Sequence, residues 1–74
     1  MFINLMHIGN ILKEKRIELS LTQQGLEQRS GVTQSMISKL EKGAAHNISV
    51  EVLRKLAKAL DCKVVDLLPD SDKH

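Results

Sequence analysis

Apolar residues recur three and four positions apart through most of the chain, and capping or breaking residues cut that pattern into five pieces. Ile8, Ile11, Leu12 and Leu19 form the apolar stripe of a first helix predicted from about Ile8 to Glu18. A second begins at Thr22, whose hydroxyl can cap the free amides of QQGLEQR, and ends before Gly31. Gly31 supplies the positive φ that a sharp turn between two helices needs. The third helix starts from a Thr33 cap and stops at Gly43, and the loop AAHNI follows. Ser49 caps a fourth helix through about Leu60, with Val52, Leu53, Leu56, Ala57 and Leu60 as a wide apolar stripe. A brief fifth helix covers Val64 to Leu68 and is closed by Pro69, after which DSDKH reads as a frayed tail. Connections this short force successive helices to pack on each other, so the expected fold is a compact all-α five-helix bundle. Residues 1–7 form a leader whose Phe2, Ile3, Leu5 and Met6 either pack on the bundle or a second subunit, or stay partly ordered with Met6 as an alternative start.

Length and composition narrow the picture. A chain of 74 residues makes one domain, near the lower limit at which a hydrophobic core suffices alone. A single cysteine, Cys62, rules out an intramolecular disulfide, and no cysteine and histidine spacing suits zinc, so a reducing, cytoplasmic setting is expected. No run is long or apolar enough to span a bilayer, and MFINLMH lacks the order of a signal peptide. With one Phe and no Tyr or Trp, the core must be aliphatic, which disfavours a sheet. The formal net charge is +2, and the excess falls in residues 1–48, six Lys or Arg against four Glu, while residues 49–74 balance at five and five. That sign permits a polyanionic partner.

The third helix carries the chemistry. Met36, Ile37 and Leu40 share one side, and Gln34, Ser35, Ser38, Lys39 and Lys42 the other. A merely solvated face usually carries Glu and Lys pairs. Amide and hydroxyl groups suit base edges instead: an amide grips adenine N6 and N7, and a Lys reaches guanine O6 and N7. Two helices joined by a tight glycine turn, the second with such a face, is the helix-turn-helix arrangement that enters the DNA major groove. Capped helix starts at Thr22 and Thr33 add partial positive charge toward the phosphates.

TQQGLEQRSGVTQSMISKLEKG resembles the helix-turn-helix of the Cro/C1-type (Xre-like) DNA-binding family, whose pattern reads roughly T-Q-x-x-L-A-x-x-x-G-V-[ST]-x-x-x-I-S-x-x-E-x-G. KEKRIELSLTQ before it and VEVLRKLAKALDCKVVDLL after it resemble the family's first, fourth and fifth helices. The resemblance implies a lambda-repressor-like domain over residues 8–68, with the helix-turn-helix at 22–42 and a tail at 69–74. It also implies a transcriptional regulator bound to double-stranded DNA. Gln23 stands where the family's glutamine contacts phosphate and braces the first residue of the recognition helix. Gln34, Ser35 and Lys39 occupy base-reading positions, Thr33 and Ser38 lie near the backbone, and Met36 is placed for a sugar or a thymine methyl. Arg16 and Glu41 match a buried structural ion pair between the first and third helices.

The chain departs from the pattern in several places. Glu27 replaces a small Ala where two helices approach, so either the helices splay or the carboxylate turns outward to a cation. Gly25 inside the second helix should cost about 1 kcal/mol relative to Ala. The loop Ala44 to Asn47 is poor in cations, leaving phosphate contacts to backbone amides and Asn47, while His46 stands alone without metal partners. Cys62 falls where relatives have a buried Val and reads as a small core residue. Val65 replaces a usual polar residue and, with Val64 and Leu68, suggests a dimer interface. Dimerisation is expected on mechanism too, because one short helix reads few base pairs and two copies read a palindrome.

Catalysis, cofactors and metals find no support: there is no evident carboxylate cleft or glycine-rich phosphate loop, and little room for a pocket. No second domain is expected, so occupancy is set by protein concentration and partners. Phage-type repressors, restriction-modification controllers and antitoxin-like autorepressors all have this size. The rival reading is an antitoxin-like protein-interaction module with a partner such as a toxin, which Glu27 and the low net charge favour slightly.

Overall fold

A computed structural model describes residues 5–45 and 48–68, with side chains from Ile8 onward. Four α-helices follow in order, α1 over Leu5–Glu18, α2 over Gln23–Ser30, α3 over Gln34–Glu41 and α4 over Val50–Ala59, and a single 3-10 turn covers Val64–Leu67. No strand occurs among these residues. The packing of the leader expected at Phe2, Ile3, Leu5 and Met6 lies outside the described residues or their described side chains.

Three helix starts follow from side-chain oxygens. Thr22, Thr33 and Ser49 each have extended backbone and accept from the amide three residues on, Gly25, Met36 and Val52, at 2.9, 3.2 and 3.1 Å. Such a cap contributes about 1 kcal/mol. Gly31 closes α2 at φ 79° with open space around it, so its backbone conformation alone demands glycine.

Three other helix ends share one closure. Leu21, Ala44 and Cys62 donate their backbone N–H to the carbonyls of Arg16, Lys39 and Ala57, five residues back, at 3.0, 2.8 and 2.9 Å. The residue before each, Ser20, Gly43 and Asp61, is left-handed at φ 57°, 71° and 59°. The first closure corrects the expected stripe of α1. The chain reverses at Ser20, leaving Leu19 41% exposed while Leu21 packs on the core in its place.

The expected fifth helix is also corrected: Val64–Leu67 forms one 3-10 turn. Asp66 accepts from the Lys63 N–H at 3.0 Å and fixes its start. Leu68, which precedes Pro69, is extended at φ −91° and ψ 148°, as the ring of a following proline requires, so the turn cannot lengthen into an α-helix. α1 in turn begins at Leu5, three residues earlier than its apolar stripe indicates.

The core is aliphatic. Ile8 and Leu12 of α1, Leu26 of α2, Ile37 and Leu40 of α3, and Leu56 of α4 are all but fully buried, and Leu67 plugs the end from the 3-10 turn. Each contributes about 1.5–3 kcal/mol by leaving water.

α1 lies against the end of α3 with unusual closeness. A methyl group built on Gly9 would collide with the carbonyl oxygen of Leu40 and stand 3.1 Å from Glu41 Cα. Backbone cannot yield there as a flexible side chain can. Gly25 differs, because its added methyl would meet Thr22 Oγ1 at 3.3 Å and Leu21 Cδ2 at 3.4 Å, contacts that small shifts relieve. Gly9→Ala is therefore expected to destabilise the fold by about 1–3 kcal/mol despite alanine's higher helix propensity. Urea unfolding followed by circular dichroism checks this; an unchanged or raised midpoint refutes the close approach.

Candidate nucleic-acid interface

α2, the Gly31 turn and α3 form one unit. Val32 is buried inside the turn, and its N–H donates to Ser30 Oγ at 3.0 Å, tying the turn to the end of α2. α3 then places Ile37 and Leu40 in the core, with Met36 half-buried against it. Ser35 and Lys39 are exposed, and Gln34 and Ser38 are half-buried on the same outer side. No hydrogen bond among the described residues ties the side chains of Gln34, Ser35, Ser38 or Lys39. Thr33 is exposed and spends its hydroxyl on the cap. The phosphate contact expected of Asn47, and any role of His46, fall outside the described residues.

Behind this face, three helices meet on one carboxylate. Arg16 Nε donates to Glu41 Oε2 at 2.7 Å and Arg16 Nη2 to Glu41 Oε1 at 3.0 Å, a two-pronged pair. The side chains are only 12% and 6% exposed. Arg16 Nη1 donates to the Leu21 carbonyl at 2.7 Å, so the same guanidinium also holds the α1–α2 turn. Gln23, the first residue of α2, donates from Nε2 to Glu41 Oε1 at 3.1 Å. The resemblance implied a brace from Gln23 to the first residue of α3. The hydrogen bond instead reaches the last residue of α3, a partner 18 positions away that no local signal marks.

The hydrogen bond to Glu41 pushes the Arg16 pKa up, burial opposes this, and the Glu41 charge adds to the rise. A group raised in the folded state gives stability that is complete below its unfolded value and lost only above its folded one. Both lie beyond the ordinary pH range, so Arg16 stays charged wherever DNA binding is measured.

Glu27 is half-buried, and among the described residues it has neither an ion pair nor a side-chain hydrogen bond, so the cation expected to meet an outward carboxylate is not there. Cys62 is half-buried against the core, and burial pushes its thiol up; Lys15 opposes this, and Asp66 and Asp61 add to it. A protonated thiol is a poor nucleophile. Among the residues expected at a dimer interface, Val65 is 40% exposed, while Val64 and Leu68 are half-buried against the core. An open groove of about 450 Å³ runs between α4 and the 3-10 turn, rimmed by Arg54, Lys58, Asp61 and Lys63. Among the described residues, no group of His, Cys, Asp and Glu has the makings of a metal site.

A glycine turn, a capped second helix with a small polar face, and an ion pair fixing that helix from behind define a helix-turn-helix domain. The chain belongs to the Cro/C1-type helix-turn-helix family, whose model, HTH_3 (Helix-turn-helix), matches residues 12–67. It is 38% identical over 66 residues to the uncharacterized HTH-type transcriptional regulator y4dJ of Sinorhizobium fredii, covering 89% of this chain and 84% of that protein. It is 32% identical over 66 residues to the HTH-type transcriptional regulator SinR of Bacillus licheniformis and spans 60% of that protein's length. The fold is similar to the crystal structure of the restriction-modification controller protein C.AhdI from Aeromonas hydrophila. There the TM-score is 0.81 at 35% identity, over 85% of this chain and 94% of that one. It is also similar to SinR in complex with DNA, at a TM-score of 0.78 and 32% identity over 81% and 95% of the two chains.

The ion pair yields a stability prediction. Arg16→Met leaves Glu41 buried without its counter-charge and frees the Leu21 carbonyl, an expected loss of about 3–5 kcal/mol. Equilibrium urea unfolding measures it, and a loss below 1 kcal/mol would make the pair incidental.

Proposed function

We propose that this chain is a sequence-specific DNA-binding transcriptional regulator that lays α3 in the major groove and acts as a dimer on a palindromic operator. The observation that carries this reading is the outer face of α3, small, polar and untied by hydrogen bonds among the described residues, on a helix whose inner side is fixed by Ile37, Leu40 and Glu41. Gln34, Ser35 and Lys39 read base edges, with the amide of Gln34 suited to adenine and Lys39 to guanine. Gln23, Thr33 and Ser38 meet the backbone, and the exposed part of Met36 meets sugar or a thymine methyl. Likeness to SinR, which has been crystallised in complex with DNA, supports DNA as the ligand.

Two copies with recognition helices about 34 Å apart read both halves of a palindrome. Val65, exposed beside Val64 and Leu68, supplies an apolar patch for a two-fold contact. The family and the reduced-cysteine chemistry support a cytoplasmic role, and among the described residues no helix is long and apolar enough to cross a membrane.

A second reading makes a protein, such as a toxin, the main target of the same fold. Glu27, half-buried on the helix-turn-helix with no ion pair among the described residues, favours it, as does likeness to SinR, which has been solved in complex with the SinI protein.

Selection from a random DNA pool separates the two. The expected result is an enriched inverted repeat, with Gln34→Ala costing about 1–3 kcal/mol at one symmetric base position. No enriched motif, or only weak contact abolished by salt, favours the protein partner. Sedimentation tests the interface: Val65→Lys should convert dimers to monomers, and an unchanged dimer places the contact elsewhere.

A further inference from the structure

The side chain of Gln23 is held in one orientation by chemistry alone. Its amide faces Glu41 Oε1 at 3.1 Å, and an ionised carboxylate accepts hydrogen bonds without donating any. Only the nitrogen half of the amide can therefore face Glu41, and the carbonyl oxygen must point away. That nitrogen carries two N–H groups. One is spent on Glu41, and the other has no partner among the described residues.

Glu41 is well suited to enforce this. Both of its oxygens are gripped by Arg16, at 2.7 and 3.0 Å, and its side chain is 6% exposed, so it cannot swing to follow the amide. Arg16 also balances its charge, so that an anion approaching Gln23 meets a neutralised pair. An untethered glutamine turns its amide freely and offers oxygen as readily as nitrogen. Oxygen against a phosphate repels, and ordering a free side chain costs entropy.

We propose that Glu41 is a positioning residue for DNA binding: it fixes the Gln23 amide so that its second N–H, and not its carbonyl oxygen, is offered to a DNA phosphate at the start of α2. The proposal rests on the reading of the chain as a DNA-binding regulator. It gives the ion pair a second task, setting the donor at the edge of the interface as well as the seat of α3.

The test is a double-mutant cycle on operator affinity, by anisotropy of a labelled duplex, at a temperature where circular dichroism shows each variant folded. Gln23→Ala should weaken binding about tenfold on any operator sequence and leave the salt slope nearly unchanged, because a neutral amide displaces no counterion. Glu41→Gln should weaken binding severalfold in the wild-type background and distinctly less beside Gln23→Ala, because the part of its effect that does not come from the seat of α3 passes through that amide. An equal loss from Glu41→Gln in both backgrounds overturns the proposal, since Glu41 then acts only through the fold. Should Glu41→Gln not fold, nuclear magnetic resonance of the free wild type decides. One Gln23 side-chain proton shifted downfield and slow to exchange is expected, and averaged, solvent-like amide signals overturn the proposal. Operator binding that depends on Gln34 with additive Gln23 and Glu41 effects sinks this inference alone, whereas no operator binding at all sinks the DNA-binding reading with it.

Discussion

The carboxylate of Glu41 joins α1, α2 and α3, and most of the molecule's geometry depends on its being there. It accepts from Arg16 of α1 and Gln23 of α2 while belonging to α3. Burying charge costs several kcal/mol per ion, so such a pair survives only with nearly ideal geometry and its remaining hydrogen-bonding capacity filled. Both conditions hold, because Arg16 uses two nitrogens on Glu41 and a third on the Leu21 carbonyl. The absence of a side chain at Gly9 permits this, letting α1 approach the α3 backbone at Leu40 and Glu41. The ion pair and the glycine work together, one pulling and the other making room.

Much of this frame was legible in the sequence because its signals are local. Thr22, Thr33 and Ser49 each act on an amide three residues away, and Gly31 acts through its own φ. The Arg16 and Glu41 pairing was legible by resemblance alone, since 25 positions separate the two. What stayed hidden depends on distant parts of the chain. Gly9 inside a helix reads only as a propensity penalty until α3 is seen against it. Leu19 fits the α1 stripe, and only the left-handed Ser20, a residue that gives little warning of such a turn, gives Leu21 its place. The last element misled for a different reason: Val64–Leu67 has its start tied by Asp66 to the Lys63 N–H and its end held extended at Leu68 before a proline, which leaves no room for an α-helical turn to propagate.

The candidate site divides the same way. The outer residues of α3 follow from periodicity once the helix is placed. The hydrogen bond from Gln23 to Glu41 does not, because it depends on where the C-terminal end of α3 lies relative to the start of α2. Glu27 shows the limit from the other side. Its substitution for a small residue is plain in the sequence, and the helices accommodate it half-buried without a compensating cation among the described residues.

The outer side chains of α3 share no hydrogen bond with the described frame behind them, and this bears on how such a protein changes over generations. On the proposed reading, in which Gln34, Ser35 and Lys39 meet base edges, exchanging them would rewrite the address without touching the scaffold, so new operators would lie one or two mutations away at little cost in foldability. Arg16 and Glu41 have no such latitude, each being committed to the other, and neither has Gly9, against which the α3 backbone packs. Divergence within a lineage built on this frame would therefore concentrate on one helical stripe, and its regulators would part company in what they read long before they differ in shape.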